Sequence, residues 1–229
     1  MINPQEHKQG YLSAIQREVL LQLLTEPTIE QHFFLTGGTA LAVFYLAHRV
    51  SNDLDLFSRT PQNLADLHFW IKRIWPQESV VIKQSPNFLS CLIRETKVDL
   101  VIDSLSIEEE RPSVGFENGH RLHIDTMQSI VSNKLCACVS RTEPKDYVDL
   151  YVILKKLPEI RFETVYSGAQ AKDAIFDDPP TAAFQLEEGL ALIKEKPEII
   201  PPLQTDFDYG DFLAFYENLT MWIYSRLKL

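Results

Sequence analysis

Cysteine, basic residues and long apolar runs are all scarce in this sequence, and each scarcity excludes a class of protein. The 229 residues contain three cysteines, Cys91, Cys136 and Cys138, an odd number without the spacing of a disulfide framework. We therefore expect a reducing, cytoplasmic location. The polar amino terminus, MINPQEHKQG, has no signal-peptide core. The longest apolar runs, such as TALAVFYLA, are shorter than the roughly 20 residues of a membrane span, so we expect no membrane partner.

Acidic residues outnumber basic ones by 32 to 22, which gives a formal net charge of −10. Because phosphate backbones attract basic surfaces, this balance argues against a DNA partner. The excess is uneven, since residues 159–229 carry 6 Lys and Arg against 13 Asp and Glu. This segment is either an ordinary solvated face or a surface for a basic partner protein. An RNA partner for the rest of the chain is not excluded.

The stretch at residues 33–57, FFLTGGTALAVFYLAHRVSNDLDLF, has the most informative pattern. It predicts a short apolar strand, a diglycine turn, an apolar helix and a second strand. In that second strand, alternation points Asp53 and Asp55 to one face and the leucines between them to the other. Paired carboxylates repel each other unless a cation lies between them, and a divalent metal is the usual one. The alternative interpretation is an ordinary polar strand edge.

The diglycine turn predicts an anion site beside these acids. Gly37 and Gly38 allow backbone amides to approach a phosphate at the start of a helix, and Thr39 is suited to cap that helix. We expect Gly37, Gly38 and Thr39 together to cradle the phosphates of a nucleotide. A phosphate site next to a metal site indicates a nucleoside triphosphate as ligand. Two Mg²⁺ ions about 3.5–4 Å apart, or Mn²⁺ in their place, would neutralise its charge.

A two-metal site requires a third carboxylate from a neighbouring strand, which acts as a ligand and as a general base. In the predicted strand KVDLVID at 97–103, Lys97, Asp99 and Asp103 share one face. Alternation alone does not separate Asp99 from Asp103. Asp103 lies at the strand end, where a turn residue is expected.

Together these motifs resemble the nucleotidyltransferase superfamily that shares its fold with DNA polymerase β. More narrowly, GGTAL followed by RVSNDLDLF is similar to the AbiEii/AbiGii toxin type, in which an Arg-x-Ser-x-Asp-x-Asp run is typical. Here that run is Arg49, Ser51, Asp53 and Asp55. The resemblance continues through a Lys-x-Asp-like third position at Asp99 and through a helix pair with Lys134 and KDYVDL. It covers roughly residues 33–155.

The resemblance implies roles for several residues. Arg49 would clamp phosphate and Ser51 would hydrogen-bond it, although a purely structural turn is the alternative for Ser51. Lys134 would reach the triphosphate, or else it is a lysine whose stem covers apolar helix surface. Asp146 would orient Lys134 or the base, or else it forms a salt bridge to Arg141 or Lys145. Asp149, three residues further along the helix, is interpreted as structural.

The predicted fold is α/β: a mixed five-stranded sheet flanked by helices, with strands also at 79–83 and 87–94, followed by a helical carboxyl-terminal region. We expect a nucleotidyltransferase core at 1–125 and helices over 126–229. The resemblance implies NMP transfer from an NTP to a hydroxyl, by a toxin that acts on RNA such as tRNA and is paired with a cognate antitoxin protein. Two other hypotheses stay open: an Asp-x-Asp glycosyltransferase, and a non-catalytic nucleotide-binding or partner-binding module.

Overall fold

The computed structural model describes residues 2–104, 106 and 108–226. The chain divides into two compact units, Met1–Met127 and Gln128–Leu229, which we call unit 1 and unit 2. The division falls at the first turn of the helix that begins at Met127. In the described part of the chain, no helix is both long and apolar enough to cross a membrane.

Unit 1 is built on one seven-stranded mixed sheet with the strand order β3-β4-β5-β2-β1-β7-β6. The β2–β5 and β1–β7 pairs are parallel and the other pairs are antiparallel. The strands are β1 (Phe34–Thr36), β2 (Asp53–Ser58), β3 (Ser79–Ser85), β4 (Phe88–Ile93), β5 (Thr96–Ile102), β6 (Ser113–Gly115) and β7 (Arg121–Ile124). The helices are α1 (Ala14–Leu23), α2 (Pro27–His32), α3 (Gly37–Leu41) and α4 (Leu64–Ile74).

The predicted α/β class with a mixed sheet is confirmed, but the sheet has seven strands and not five. The two extra strands, β6 and β7, form an antiparallel hairpin. Strand β6 has only three residues, which is too short for a pattern of alternation to be visible. Strand β7 then pairs with β1 in parallel and extends the sheet beyond the predicted core.

The two faces of the sheet differ as the sequence pattern predicted. Leu54 and Leu56 of β2, with Val98 and Leu100 of β5, are fully or almost fully buried. Helix α1 contacts β5 and helix α4 contacts β4. Asp53 and Asp55 are half-buried and alternate with these leucines, so both carboxylates lie on the opposite face. We call the face that carries Asp53 and Asp55 the acid face.

The helix after the diglycine turn begins earlier and ends earlier than predicted. It begins at Gly37, so the prediction that Thr39 caps it is wrong. From Ala42 to Leu46 it continues as a π-helical turn, and it ends at Ala47, which has a left-handed backbone with φ 48°. The short return from Ala47 to β2 therefore carries Arg49 and Ser51 close to the start of the helix that precedes it.

Unit 2 is helical in its described residues, as predicted. Its helices are α5 (Met127–Ser140, whose first residue belongs to unit 1), α6 (Pro144–Lys156), α7 (Phe162–Gln170), α8 (Pro179–Glu195) and α9 (Tyr209–Tyr224). Tyr147 and Tyr216 form its centre with ring centroids 5.0 Å apart, and both are fully buried. Cys138 packs in the same core, and burial raises the pKa of its thiol well above the usual value. This agrees with a packing role for that cysteine.

Candidate active site

Strand register brings the predicted acids of unit 1 onto neighbouring strands. In the parallel β2–β5 pair, Asp55 lies directly opposite Asp99, and Asp53 lies opposite Lys97. On the other side of β2, Asp55 lies opposite Thr36, the residue before the diglycine turn. Because neighbouring strands are about 4.8 Å apart, the turn and the acids form one continuous site on the acid face.

Gly37 is required where it stands, for two reasons. Its backbone has a φ of +69°, which side-chain-bearing residues rarely adopt. A Cβ atom at this position would also lie 2.6 Å from Oδ2 of Asp55. The carboxylate of Asp55 is therefore packed directly against the backbone of the turn.

Gly38 is in similar contact with the two polar residues of the return loop. A Cβ atom at Gly38 would lie 2.8 Å from an Nη atom of Arg49 and 2.9 Å from Oγ of Ser51. Both side chains are buried. The amide of Ser51 donates a hydrogen bond to the carbonyl oxygen of Gly10 at 3.0 Å, which anchors the loop to the amino-terminal segment. Arg49 and Ser51 thus lie beside the diglycine turn.

Thr39 lies in the same place but faces inward. Its side chain is fully buried, and its hydroxyl donates a hydrogen bond to the backbone carbonyl of Asp53. The bond ties the helix to the first residue of β2. The Thr39 side chain therefore positions Asp53 and does not face the turn.

The two candidates for the third carboxylate are separated by the register. Asp99 lies within β5 opposite Asp55, whereas Asp103 follows the last residue of that strand. The carboxylate of Asp103 accepts a hydrogen bond from Oγ of Ser106 at 2.7 Å. The geometry therefore groups Asp99, and not Asp103, with Asp53 and Asp55.

Both carboxylate oxygens of Asp99 already accept hydrogen bonds from neighbouring side chains. Oγ of Ser90, on β4, donates to Oδ1 at 2.5 Å, and Nζ of Lys97 donates to Oδ2 at 2.7 Å. Burial lowers the pKa of Lys97, but the hydrogen bond and charge of Asp99, and then the charges of Asp53 and Asp55, raise that pKa above its usual value. Lys97 is thus a cation within the field of all three acids.

This arrangement decides which residues fit a divalent cation. Across residues 2–104, 106 and 108–226, no three or more His, Cys, Asp or Glu side chains form a group that could hold a metal ion. Asp53 and Asp55 still fit Mg²⁺, because proteins usually bind this ion through one or two carboxylates together with substrate phosphates. Asp99, as placed, is directed to Lys97 and Ser90.

A buried network that the sequence did not reveal supports the start of the turn. Asp125, at the end of β7, accepts a hydrogen bond from the hydroxyl of Thr36 at 2.7 Å and lies 3.3 Å from Nε of Arg111. The guanidinium of Arg111 stacks on the ring of Phe34 at 3.6 Å. The link of Asp125 to Thr36 depends on the β1–β7 pairing, for which the sequence has no local signal.

In unit 2 the predicted residues Lys134 and Asp146 contact each other in a buried charge cluster. Nζ of Lys134 lies 2.7 Å from Asp146 and 2.6 Å from Asp149, and both aspartates are fully buried. Arg141 binds the second oxygen of Asp146 at 2.8 Å. Burial would raise the pKa of Asp146, but the charges and hydrogen bonds of Lys134 and Arg141 outweigh burial and hold that pKa below its usual value. Asp149 therefore has a charged partner, and Lys134 is not a surface lysine.

We expect Lys134→Met to destabilise the protein strongly, because two buried carboxylates would lose their shared cation. Removing one partner of a buried ion pair costs about 3–5 kcal/mol. Lys145 is the matched control, since its contact with Glu143 is exposed and the median exposed pair contributes about 0–1 kcal/mol. Urea unfolding of both variants measures the difference. Equal midpoints for Lys134→Met and Lys145→Met would contradict this account of the cluster.

Comparison with known proteins identifies others with a similar fold. A candidate nucleotidyltransferase from H. pylori superposes with a TM-score of 0.52 at 19% identity, covering 96% of this chain and 97% of that one. MenT4, a nucleotidyltransferase toxin from Mycobacterium tuberculosis, superposes with a TM-score of 0.58 at 14% identity, covering 97% and 87%. At such identities these likenesses show the fold alone. None of the curated proteins matches the chain. The model of the AbiEii nucleotidyl transferase toxins of type IV toxin–antitoxin systems matches residues 18–214, and the chain therefore belongs to this family.

Proposed function

We propose that this member of the family is a metal-dependent enzyme that transfers a nucleoside monophosphate from an NTP to a hydroxyl group and releases pyrophosphate. The observation that carries the proposal is the packing of the Asp55 carboxylate against Gly37, with Asp53 on the same face and Asp99 on the adjacent strand. One acid of the proposed metal-binding pair is thus in contact with a backbone turn that can approach phosphate, which supports a triphosphate–metal complex at this place.

In this proposal Asp53 and Asp55 hold Mg²⁺, or Mn²⁺ in its place. Held by these residues, the metal would neutralise charge on the triphosphate and would lower the pKa of the attacking hydroxyl. The turn at Gly37 and Gly38 admits phosphate oxygens to its backbone, with Arg49 and Ser51 beside it. Thr39 keeps Asp53 in position through its backbone bond. Asp99 is the third carboxylate and the proposed base for the acceptor hydroxyl, once its oxygens become accessible.

Lys134 and Asp146 remain proposed site residues on the strength of the sequence resemblance. Their contact at 2.7 Å supports the view that Asp146 orients Lys134. The proposed acceptor is RNA such as tRNA, which rests on the sequence resemblance. The proposed protein partner is a cognate antitoxin, as the description of the family as a toxin–antitoxin system suggests. A cytoplasmic location completes the proposal, in keeping with three unpaired cysteines.

The proposal is tested by incubating the protein with each of the four α-³²P-labelled NTPs, Mg²⁺ and total RNA, and by sequencing the RNA 3′ ends. We expect label from at least one NTP to enter RNA, and Asp53→Ala to abolish incorporation. Parallel reactions contain labelled nucleotide-sugars. Transfer from a nucleotide-sugar would support the glycosyltransferase alternative, and transfer from neither donor would support a binding module. Label on protein instead of RNA would correct the acceptor.

A further inference from the structure

Lys97 is bonded to a carboxylate of the acid face, and the proposed mechanism has not used it. It lies opposite Asp53 in the β2–β5 register and two residues before Asp99 on the same face. Its ammonium lies 2.7 Å from Oδ2 of Asp99. Its side chain is 41% exposed, so the ammonium can move to a new partner without disturbing the core.

The charges of the site suggest why a lysine stands here. Asp53, Asp55 and Asp99 carry three negative charges on neighbouring positions of two strands. Like charges at this separation destabilise each other unless they are balanced. Lys97 supplies positive charge at Asp99. Asp99 therefore does not require a divalent ion of its own until a triphosphate brings further negative charge.

We propose that the ammonium of Lys97 blocks metal binding at Oδ2 of Asp99 until a nucleotide binds. The Lys97 side chain then moves, and its ammonium pairs with the triphosphate. This inference rests on the proposed function, because it assumes the metal site at Asp53 and Asp55. Lys97 is then a nucleotide-binding residue and also the competitor that excludes the second ion. When the ammonium of Lys97 moves away, Oδ2 of Asp99 becomes accessible, and Asp99 can act as the third metal-binding carboxylate. Nucleotide binding and completion of the metal site are thereby coupled.

The coupling also explains why Asp53, Asp55 and Asp99 are neighbours in the sheet and yet do not form a metal-binding group among the described residues. The Lys97 bond and the Ser90 bond together hold both oxygens of Asp99. Ser90 is neutral and its hydroxyl can rotate to share a carboxylate with a metal, whereas an ammonium and a divalent cation repel each other. Lys97 is therefore the partner that has to leave.

The test counts Mn²⁺ ions per chain by electron paramagnetic resonance of the unbound ion, with and without a non-hydrolysable NTP analogue. For the wild type we expect about one ion without nucleotide and about two with it. For Lys97→Met we expect about two ions without nucleotide, because Asp99 is then accessible. In Lys97→Met with Asp99→Asn, the count returns to about one. We expect Lys97→Met to bind the analogue at least roughly tenfold more weakly, as for loss of a charged hydrogen bond.

Lys83→Met is the matched control. Lys83 is exposed, lies opposite Ser90 in the sheet and has its ammonium 5.8 Å from the ring centroid of Phe88. We expect this variant to keep the wild-type counts. Lys97→Gln is a second neutral variant of the same position. Circular dichroism of each variant serves to check that it is folded.

Three results would overturn the proposal: two ions on the wild type without nucleotide, one ion on Lys97→Met, or a second ion that persists in the double variant. If the wild type binds no Mn²⁺ even with the analogue, the metal site itself, and with it the proposed function, is refuted. The two failures are therefore distinguishable.

Discussion

Asp55→Asn is expected to reduce nucleotidyl transfer by about a thousandfold or more, which corresponds to about 4 kcal/mol of transition-state stabilisation. Metal-mediated charge stabilisation contributes several kcal/mol, and Asn would remove one charged ligand of the proposed metal while keeping the shape of the side chain. Asp55 is also the acid that contacts the backbone of Gly37 and lies opposite Asp99. The change thus acts at the centre of the proposed site. Initial rates with saturating NTP and RNA measure it.

Asp103→Asn is the matched control for this prediction, because the same chemical change is made at the rejected third acid. Asp103 follows β5 and accepts a hydrogen bond from Ser106. We expect less than about a twofold change in rate, as for most substitutions outside a site. If Asp103→Asn abolishes transfer while Asp99→Asn leaves it intact, the grouping of Asp99 with Asp53 and Asp55 is incorrect.

Gly37→Ala is expected to impair both stability and activity. A side chain in the left-handed region costs roughly 1–2 kcal/mol. The new methyl group would also displace the Asp55 carboxylate, whose Oδ2 lies 2.6 Å from the Cβ position. Misplacement of a catalytic group by about 1 Å costs on the order of a hundredfold in rate. Thermal unfolding and transfer assays on the same preparation separate the two effects.

Gly119→Ala provides a control with the same backbone penalty and no neighbour. Gly119 has a φ of +85°, and no atom lies within 4 Å of the position of an added Cβ. We expect it to lose a comparable roughly 1–2 kcal/mol of stability while retaining full activity. If both variants lose activity to the same extent, the loss is caused by reduced stability. The contact between Gly37 and Asp55 would then not contribute to activity.

Local patterns in the sequence were sufficient for the features that depend on neighbouring residues alone. Strand alternation placed Asp53 and Asp55 on one face with buried leucines between them, because the period of two is a property of the single strand. The diglycine turn was visible because the left-handed φ of Gly37 favours glycine. The helical character of unit 2 was visible for the same reason, since helical periodicity is local.

Only the tertiary structure decided which residues meet across long separations in the chain. Asp99 and Asp103 have the same parity, and the β2–β5 register alone distinguishes them. Threonine is a residue type that often caps helices, yet the hydroxyl of Thr39 donates a hydrogen bond to the Asp53 carbonyl. The partners of Lys134 and of Lys97 were likewise hidden, because a lysine in a sequence carries no indication of which carboxylate it neutralises. The order of residues in the chain thus determined which chemical groups are present and which face of a strand each one lies on. Strand pairing and helix packing determined which residues these groups contact, because those contacts depend on register and burial and not on sequence spacing.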